Sequence, residues 1–189
     1  MHTHDRPHPH RRRPKGKVAL AALAAIAALP TLSAQATTGG TGPGGGSGSS
    51  APTGHAKLVR GKAIPPSDAP QRVVDVIEAA NEIRRKPYRY GGGHGKWRDR
   101  GYDCSGAVSY ALHGGRFLRS PLDSSGFMRW ARRGKGRWIT VFSNPGHAFM
   151  VVAGLRFDTS MVRGDGPGWS KDIHAERWRD FKKRHKARY

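Results

Sequence analysis

The stretch Pro87 to Leu112, PYRYGGGHGKWRDRGYDCSGAVSYAL, decides how this chain is read. It carries the only cysteine, Cys104, directly after Asp103 and directly before the helix-compatible run Ser105 to Leu112. Aspartate is a good N-cap, so the pattern predicts a helix from Cys104 to about His113, stopped by Gly114 and Gly115. A thiol in the first turn of a helix faces unpaired backbone N–H groups and the positive end of the macrodipole, which favours the thiolate, the form that attacks. Upstream, Gly91, Gly92, Gly93 and Gly95 form a mobile or tightly turning loop that brings Tyr88 and Tyr90 toward that helix.

Further toward the N-terminus, Val73, Val76, Ile77, Ala80 and Ile83 recur at three- and four-residue spacings, with Arg72, Asp75, Glu78, Glu82 and Arg84 on the other side. This predicts an amphipathic helix over Gln71 to Arg85, ended by Pro87. Gly54 to Pro70 reads as loop-like, with Pro65, Pro66 and Pro70, and Thr37 to Thr53 is Gly, Ser, Thr and Pro with almost nothing apolar. A linker over 37–66 and a folded domain over 67–189 are therefore expected, the domain being about 120 residues, enough for one modest core. Residues 1–36 have the order of a secretory signal: a basic start (Arg11, Arg12, Arg13, Lys15, Lys17), the apolar run Val18 to Leu29, then Ala34, Gln35, Ala36. The run is too short to span a bilayer, the residues after Arg11 and Arg12 do not support a twin-arginine signal over ordinary secretion, and the early histidines are read as solvated.

Downstream of the cysteine, Ser124 or Ser125 is placed to cap a short helix carrying Phe127, Trp130 and Ala131 and ending at Gly134. The period then changes. Trp138 to Phe142 is β-rich, Asn144, Pro145 and Gly146 are turn formers, and His147 to Val152 (HAFMVV) is apolar on both faces, as a central strand would be. Ala153 and Gly154 turn the chain and Leu155 to Thr159 returns. Helices followed by a strand meander predict an α+β domain, with helices packed on a small antiparallel sheet. Met161 to Tyr189 reads as a packed turn around Trp169 and then a basic tail. Arg163, Gly164 and Asp165 form a tripeptide too short to count as a motif.

Export sharpens the meaning of a single cysteine: it is a reactive thiol, an intermolecular bridge or a buried small hydrophobe. The segment after Ala36 holds 28 Lys and Arg against 12 Asp and Glu, a net charge of +16. Such a chain is drawn to polyanions, and for an exported protein the natural partners are peptidoglycan and the anionic polymers of a cell wall. Sequence-specific nucleic-acid readout, a transmembrane anchor, a metal and any other cofactor are not expected, and the domain is expected to act as a monomer.

A cysteine nucleophile needs a base in reach and a third group to orient it. Of His55, His94, His113, His147, His174 and His185, His147 stands out, because it opens an apolar strand directly after a rigid turn. A two-residue turn at Ala153 and Gly154 places Asp158 on the same sheet face as His147, directly opposite or one rung diagonal. A three-residue loop would turn Asp158 away. Asp158 has a simpler role open to it, an ion pair with Arg156 or Arg163.

PYRYGG followed by DCSG, then a strand opening with Gly146 and His147 and a return strand carrying a polar residue, resembles the NlpC/P60 family of cell-wall cysteine peptidases over about Gln71 to Ser160. The resemblance implies a papain-like α+β fold and cleavage of the γ-D-glutamyl to diamino-acid bond of peptidoglycan stems. It implies Cys104 as nucleophile, His147 as base and Asp158 in the third position. Tyr88 matches a tyrosine whose hydroxyl helps hold the oxyanion, and Asp103 and Ser105 match residues that contact the stem peptide in some members. Asp158 departs from the family's usual third residue (His, Asn or Gln), the loop between Tyr90 and Cys104 is long, and GKGRWITVF replaces the common PGDL strand. Two other classes stay open: a catalytically silent, cationic wall-binding module, and a Cys-His amidase or acyltransferase.

Overall fold

The computed structural model describes residues 54–160, 166–174 and 178–189. The leader, the linker up to residue 53 and the Arg163 to Asp165 tripeptide lie outside the described residues. In chain order the elements are β1 (Lys57–Val59), β2 (Lys62–Ile64), α1 (Gln71–Ile83), α2 (Cys104–Gly114), α3 (Ser124–Phe127), β3 (Arg132–Arg133), β4 (Ile139–Asn144), β5 (His147–Val152), β6 (Leu155–Asp158), β7 (Gly168–Ser170) and β8 (Lys182–His185), with a single 3₁₀ turn at Trp178–Asp180.

The α+β expectation holds: the helices lie against one face of an antiparallel sheet with strand order β3-β8-β4-β5-β6-β7. β5 is central, and alternation along it sorts the two faces. Ala148, Met150 and Val152 join Val73, Val76, Ile77 and Ala80 of α1 and Val108, Ala111 and Leu112 of α2 in the main core. Phe149 points the other way, into a smaller cluster with Phe142 and Phe181. α2 is buried from Ser105 to Leu112, as befits a helix sandwiched between α1 and the sheet rather than lying on the surface.

Four sequence expectations are corrected. The linker stops short of residue 66, because residues 57–64 form a β-hairpin that packs on the domain. Ala63 is fully buried and its backbone N–H and C=O are both held by the Asn81 side chain of α1, at 3.0 and 2.8 Å. The strands are only three residues each, and Lys57, Val59, Lys62 and Ile64 are exposed, so the segment is too short to declare itself a strand pair. The short helix α3 is capped by Asp123, whose Oδ1 accepts from the Gly126 N–H at 2.6 Å, and not by Ser124 or Ser125. The basic tail is a strand, β8, inserted between β3 and β4. The Trp169 turn is strand β7, with its ring 4.8 Å from Phe157 and its Nε1 donating to Asn81 Oδ1 at 3.1 Å.

The described residues between β7 and β8 lie over the outer face of β6 and β5: the His174 carbonyl accepts from Arg156 Nη1 at 2.9 Å, and the Phe181 ring meets Phe149 at 5.1 Å. This strap is why Arg156, Asp158 and Phe149, on the face away from the helices, are buried.

Candidate active site

The PYRYGG lead-in is fastened to the start of α2 by backbone pairing. Tyr102 N–H donates to the Pro87 carbonyl and Arg89 N–H to the Tyr102 carbonyl, both at 3.1 Å, which sets Tyr88 beside the helix start. Two glycines permit the close approach. A Cβ on Gly106 would lie 2.0 Å from the Gly92 carbonyl oxygen, and one on Gly92 would lie 2.3 Å from the Gly101 carbonyl, so only glycine fits at either position. The loop is the tightly turning alternative. Its far end is tied down as well: the Trp97 ring stacks on His113 at 3.8 Å, and Tyr102 Oη donates to the Trp97 carbonyl at 2.7 Å.

Asp103 caps α2 as expected, Oδ1 accepting from Gly106 N–H at 2.7 Å. The same oxygen accepts from Ser105 Oγ at 3.2 Å and lies 3.0 Å from His94 Nε2, while Oδ2 accepts from Gly91 N–H at 3.0 Å. His94 is a residue that the sequence reading missed. It lies in a glycine-rich loop with no periodicity, and only the folding of that loop onto Asp103 brings it to the site.

Cys104 begins α2, free and partly exposed. Its thiol lies 3.8 Å from Ser124 Oγ. Burial alone would push the thiol up, but hydrogen bonding to His147, the Ala148 backbone N–H and the imidazole's positive charge together hold it below its ordinary value. His147 is pinned at the mouth of the β4–β5 hairpin. Asn144 Oδ1 accepts from the Gly146 and His147 N–H groups at 2.9 and 2.8 Å, an Asx turn that sets the backbone from which the imidazole projects.

The β5–β6 turn has two residues, with Val152 paired to Leu155 and Ala153 and Gly154 at φ +45° and +80°, the signs a type I′ turn requires. Continuing the register places Asp158 opposite Phe149, one rung diagonal from His147 and on its face. Asp158 Oδ1 lies 2.9 Å from His147 Nε2, which leaves Nδ1 as the ring nitrogen available to Cys104. The other carboxylate oxygen accepts from Arg156 Nε at 3.0 Å, from Arg156 Nη2, and from Ser160 Oγ at 3.0 Å. The two sequence readings of Asp158, partner of His147 and partner of Arg156, are thus both realised, one on each oxygen. Arg156 also lies over the Phe149 ring, 4.5 Å from its centroid.

These contacts move the titrations in opposite directions. Burial would lower His147, but its bonds to Asp158 and Cys104 outweigh that and raise it to about 9. Burial would raise Asp158, but His147 and Arg156 hold it down at about 2. An imidazolium between a carboxylate and a depressed thiol is the state these directions favour around neutral pH.

Tyr88, Asp103, Cys104 and Ser105 line one open cleft of about 440 Å³, together with Tyr90, Gly91, His94, Asp123, Ser124, Ser125, Pro145 and Gly146. Tyr88 is 43 % exposed, and its phenol is pushed up by burial and by the negative charge of Cys104 and Asp103. Two sequence-selected residues are not part of that lining: His147, which follows Gly146 of the cleft wall, and Asp158, whose side chain is wholly buried behind His147. No group of three or more His, Cys, Asp or Glu side chains that could hold a metal occurs among the described residues.

No protein-family model matches the chain, and no curated protein does. Solved structures do resemble it. The peptidoglycan hydrolase RipB of Mycobacterium tuberculosis is 23% identical over 65% of this chain and 68% of its own, with a TM-score of 0.47. The P60 domain of an antigen of M. avium subspecies paratuberculosis is 19% identical over 60% and 94%, TM-score 0.46. RipD of M. tuberculosis, a non-catalytic NlpC/P60 domain protein adapted to peptidoglycan binding, is 16% identical over 56% of this chain and 100% of its own, TM-score 0.39. Among solved structures, the likeness of this chain is to NlpC/P60 family proteins.

Proposed function

We propose that the protein is an exported cysteine peptidase that hydrolyses amide bonds in peptidoglycan stem peptides, at the γ-D-glutamyl to diamino-acid linkage. The observation that carries this reading is His147 held between Asp158, at 2.9 Å, and a depressed thiol at the first position of a capped helix. Residues 1–36 are then the leader removed on export, and the Gly/Ser-rich stretch that follows is a tether.

In this reading the Cys104 thiolate adds to the scissile carbonyl carbon, and the carbonyl oxygen takes up the negative charge. Backbone N–H groups at the start of α2 and the Tyr88 hydroxyl supply the donors for that oxyanion. Collapse breaks the C–N bond. The His147 imidazolium gives its proton to the departing amine, leaving a thioester on Cys104. Neutral His147 then takes a proton from water, the hydroxide adds to the thioester carbon, and collapse releases the acid and restores the thiolate and imidazolium. Asp158 is never protonated in this cycle; it fixes the ring and stabilises its charge. Asp103 and Ser105 contact the stem peptide beside the thiol.

The test is to mix the protein lacking residues 1–36 with purified wall fragments and quantify new free amines and the released peptides. New amines from the native protein and none from Cys104→Ala are expected. No new amine from either protein, with wall binding retained by both, would overturn the catalytic reading in favour of a binding module.

A further inference from the structure

We propose that the sheet edge formed by β3 and β8, with the loops that flank it, is a docking strip for a linear polymer of phosphate groups that carries neither bases nor acyl chains. The proposal stands independently of the peptidase reading, since it uses no residue of the cleft. Residues 128–137 and 178–189 hold 11 Lys and Arg against a single acidic residue, Asp180. Those two stretches are far apart in sequence and are brought together by pairing of Arg132 with His185 and Arg133 with Arg184. The fold thus concentrates in one place a charge that looks dispersed along the chain.

The side chains are presented outward. Arg129, Arg132, Arg133, Lys135, Lys182 and Lys186 are all exposed. Other cations of the strip are spent on building it: Arg184 Nε donates to the Met128 carbonyl at 2.6 Å, and His185 Nδ1 lies 3.2 Å from the Gly134 carbonyl. Cations on an edge strand also deter pairing with another sheet. That role explains Arg132 and Arg133, but not Arg129, Lys135 or Lys186, which lie off the strands.

The chemistry of the strip selects among polyanions. Arginines here can meet phosphate oxygens bidentately. A membrane surface would call for apolar side chains to enter the interface, yet among the described residues the exposed large hydrophobic ones are Val59, Ile64, Tyr88, Tyr90 and Ile173, none of them on β3 or β8. A single-stranded nucleic acid would call for exposed rings on which bases stack, yet among the side chains described beside the strip Trp130, Trp138 and Phe181 are 9%, 5% and 9% exposed and the Tyr189 ring packs on Phe117. What remains is a reader of phosphate charge without a base or lipid platform. The strip begins two residues after α3, whose N-terminal residues line the cleft, so a polymer held there lies beside the open site.

The test compares two fourfold variants of the chain lacking residues 1–36: Arg132, Arg133, Lys135 and Lys182 all changed to Gln, and, as a control of equal charge, Lys57, Lys62, Lys86 and Lys96 all changed to Gln. Binding of inorganic polyphosphate is measured between 50 and 200 mM salt. The edge variant is expected to bind about tenfold or more weakly, with the slope of log affinity against log salt reduced by about 2, as loss of roughly three phosphate contacts implies. The control is expected to change less than about twofold beyond general screening. An unchanged Cys104 alkylation rate and melting temperature show that the edge variant is folded. Equal losses in both variants, or none in the edge variant, would overturn the proposal. Tighter binding of an oligothymidylate, or of phosphatidylcholine vesicles containing phosphatidylglycerol, than of polyphosphate at equal charge would overturn the choice of partner.

Discussion

Replacing Asp158 by Asn changes almost no volume and removes one charge from a buried site, so its effect can be worked out from the geometry. Asp158 is 1% exposed and its carboxylate serves His147 on one oxygen and Arg156 on the other. Its folded value, about 2, is depressed from an ordinary 3.8. A depressed acid contributes stability that is present above its unfolded value and is lost as pH falls through its folded one. For Asp158 that window runs from about pH 4 down to about pH 2. The shift corresponds to about 2.5 kcal/mol at neutral pH. Asp158→Asn should therefore unfold about 2.5 kcal/mol more easily than the native protein at pH 7. The gap should narrow steadily as the native Asp158 itself becomes protonated, so that the two proteins converge near pH 2. Urea denaturation of both across pH 2 to 7 measures this. A penalty that does not vary with pH would refute the reasoning, because it would place the cost in packing and not in charge. The variant carries a second signature. His147, raised to about 9 in the native protein largely through Asp158, should titrate lower. The alkaline limit of enhanced Cys104 alkylation should then fall by a unit or more.

Three further outcomes follow from the same contacts. Asn81→Ala removes the partner of the Ala63 backbone and of Trp169 Nε1; with up to three buried polar groups left unpaired it should cost about 3 kcal/mol, visible as a melting temperature lower by about 10 °C. Gly106→Ala sets a methyl 2.0 Å from the Gly92 carbonyl; a loss of at least about 3 kcal/mol is expected, with the rate of Cys104 alkylation at pH 6 falling as Tyr88 and Asp103 are pushed away, and a variant as stable as the native protein would contradict the close approach. In the native protein, alkylation of Cys104 by iodoacetamide should proceed well below pH 8, because the thiol is depressed by its bond to His147; His147→Gln should return the profile to that of an ordinary thiol, near pH 8.5, and an unshifted profile would show that His147 does not govern the sulfur.

The parts of this site legible in the sequence were those built by local rules. Asp103 capping Cys104, and Asp158 falling on the face of His147, follow from an N-cap preference and from the parity of a two-residue turn, neither of which depends on distant residues. His94 and Ser124 entered the site by routes with no such rule, and Arg156 was legible only as one of two alternative partners of Asp158. His94 arrives through an aperiodic loop and Ser124 through a helix too short to show a period, while alternation alone does not choose between Arg156 and Arg163 as the partner of Asp158. The β1–β2 hairpin and β8 were hidden for different reasons: the hairpin strands are only three residues each and sit among prolines and a glycine, β8 is entirely basic (KKRH), and what makes them strands is pairing with a neighbour next to one buried residue, Ala63 or Phe181. Tertiary context overrides composition in such segments.

The placement of β8 has a consequence for the order in which the molecule can be made. β3 pairs with β8 alone, and β4 waits for it too, although β8 follows β4 by nearly forty residues. Closing such a gap is slow relative to helix formation. Until that strand arrives, Phe142 and Phe149 lack Phe181 above them, and the chain that carries His174 over Arg156 has no far anchor. Helices α1 and α2, with Cys104 already at its capped position, can form early, whereas the buried carboxylate behind His147 is sealed from water only at the end. The thiol is therefore positioned by the first half of the domain, whereas the carboxylate that orients its base is enclosed by residues from the last part of the chain.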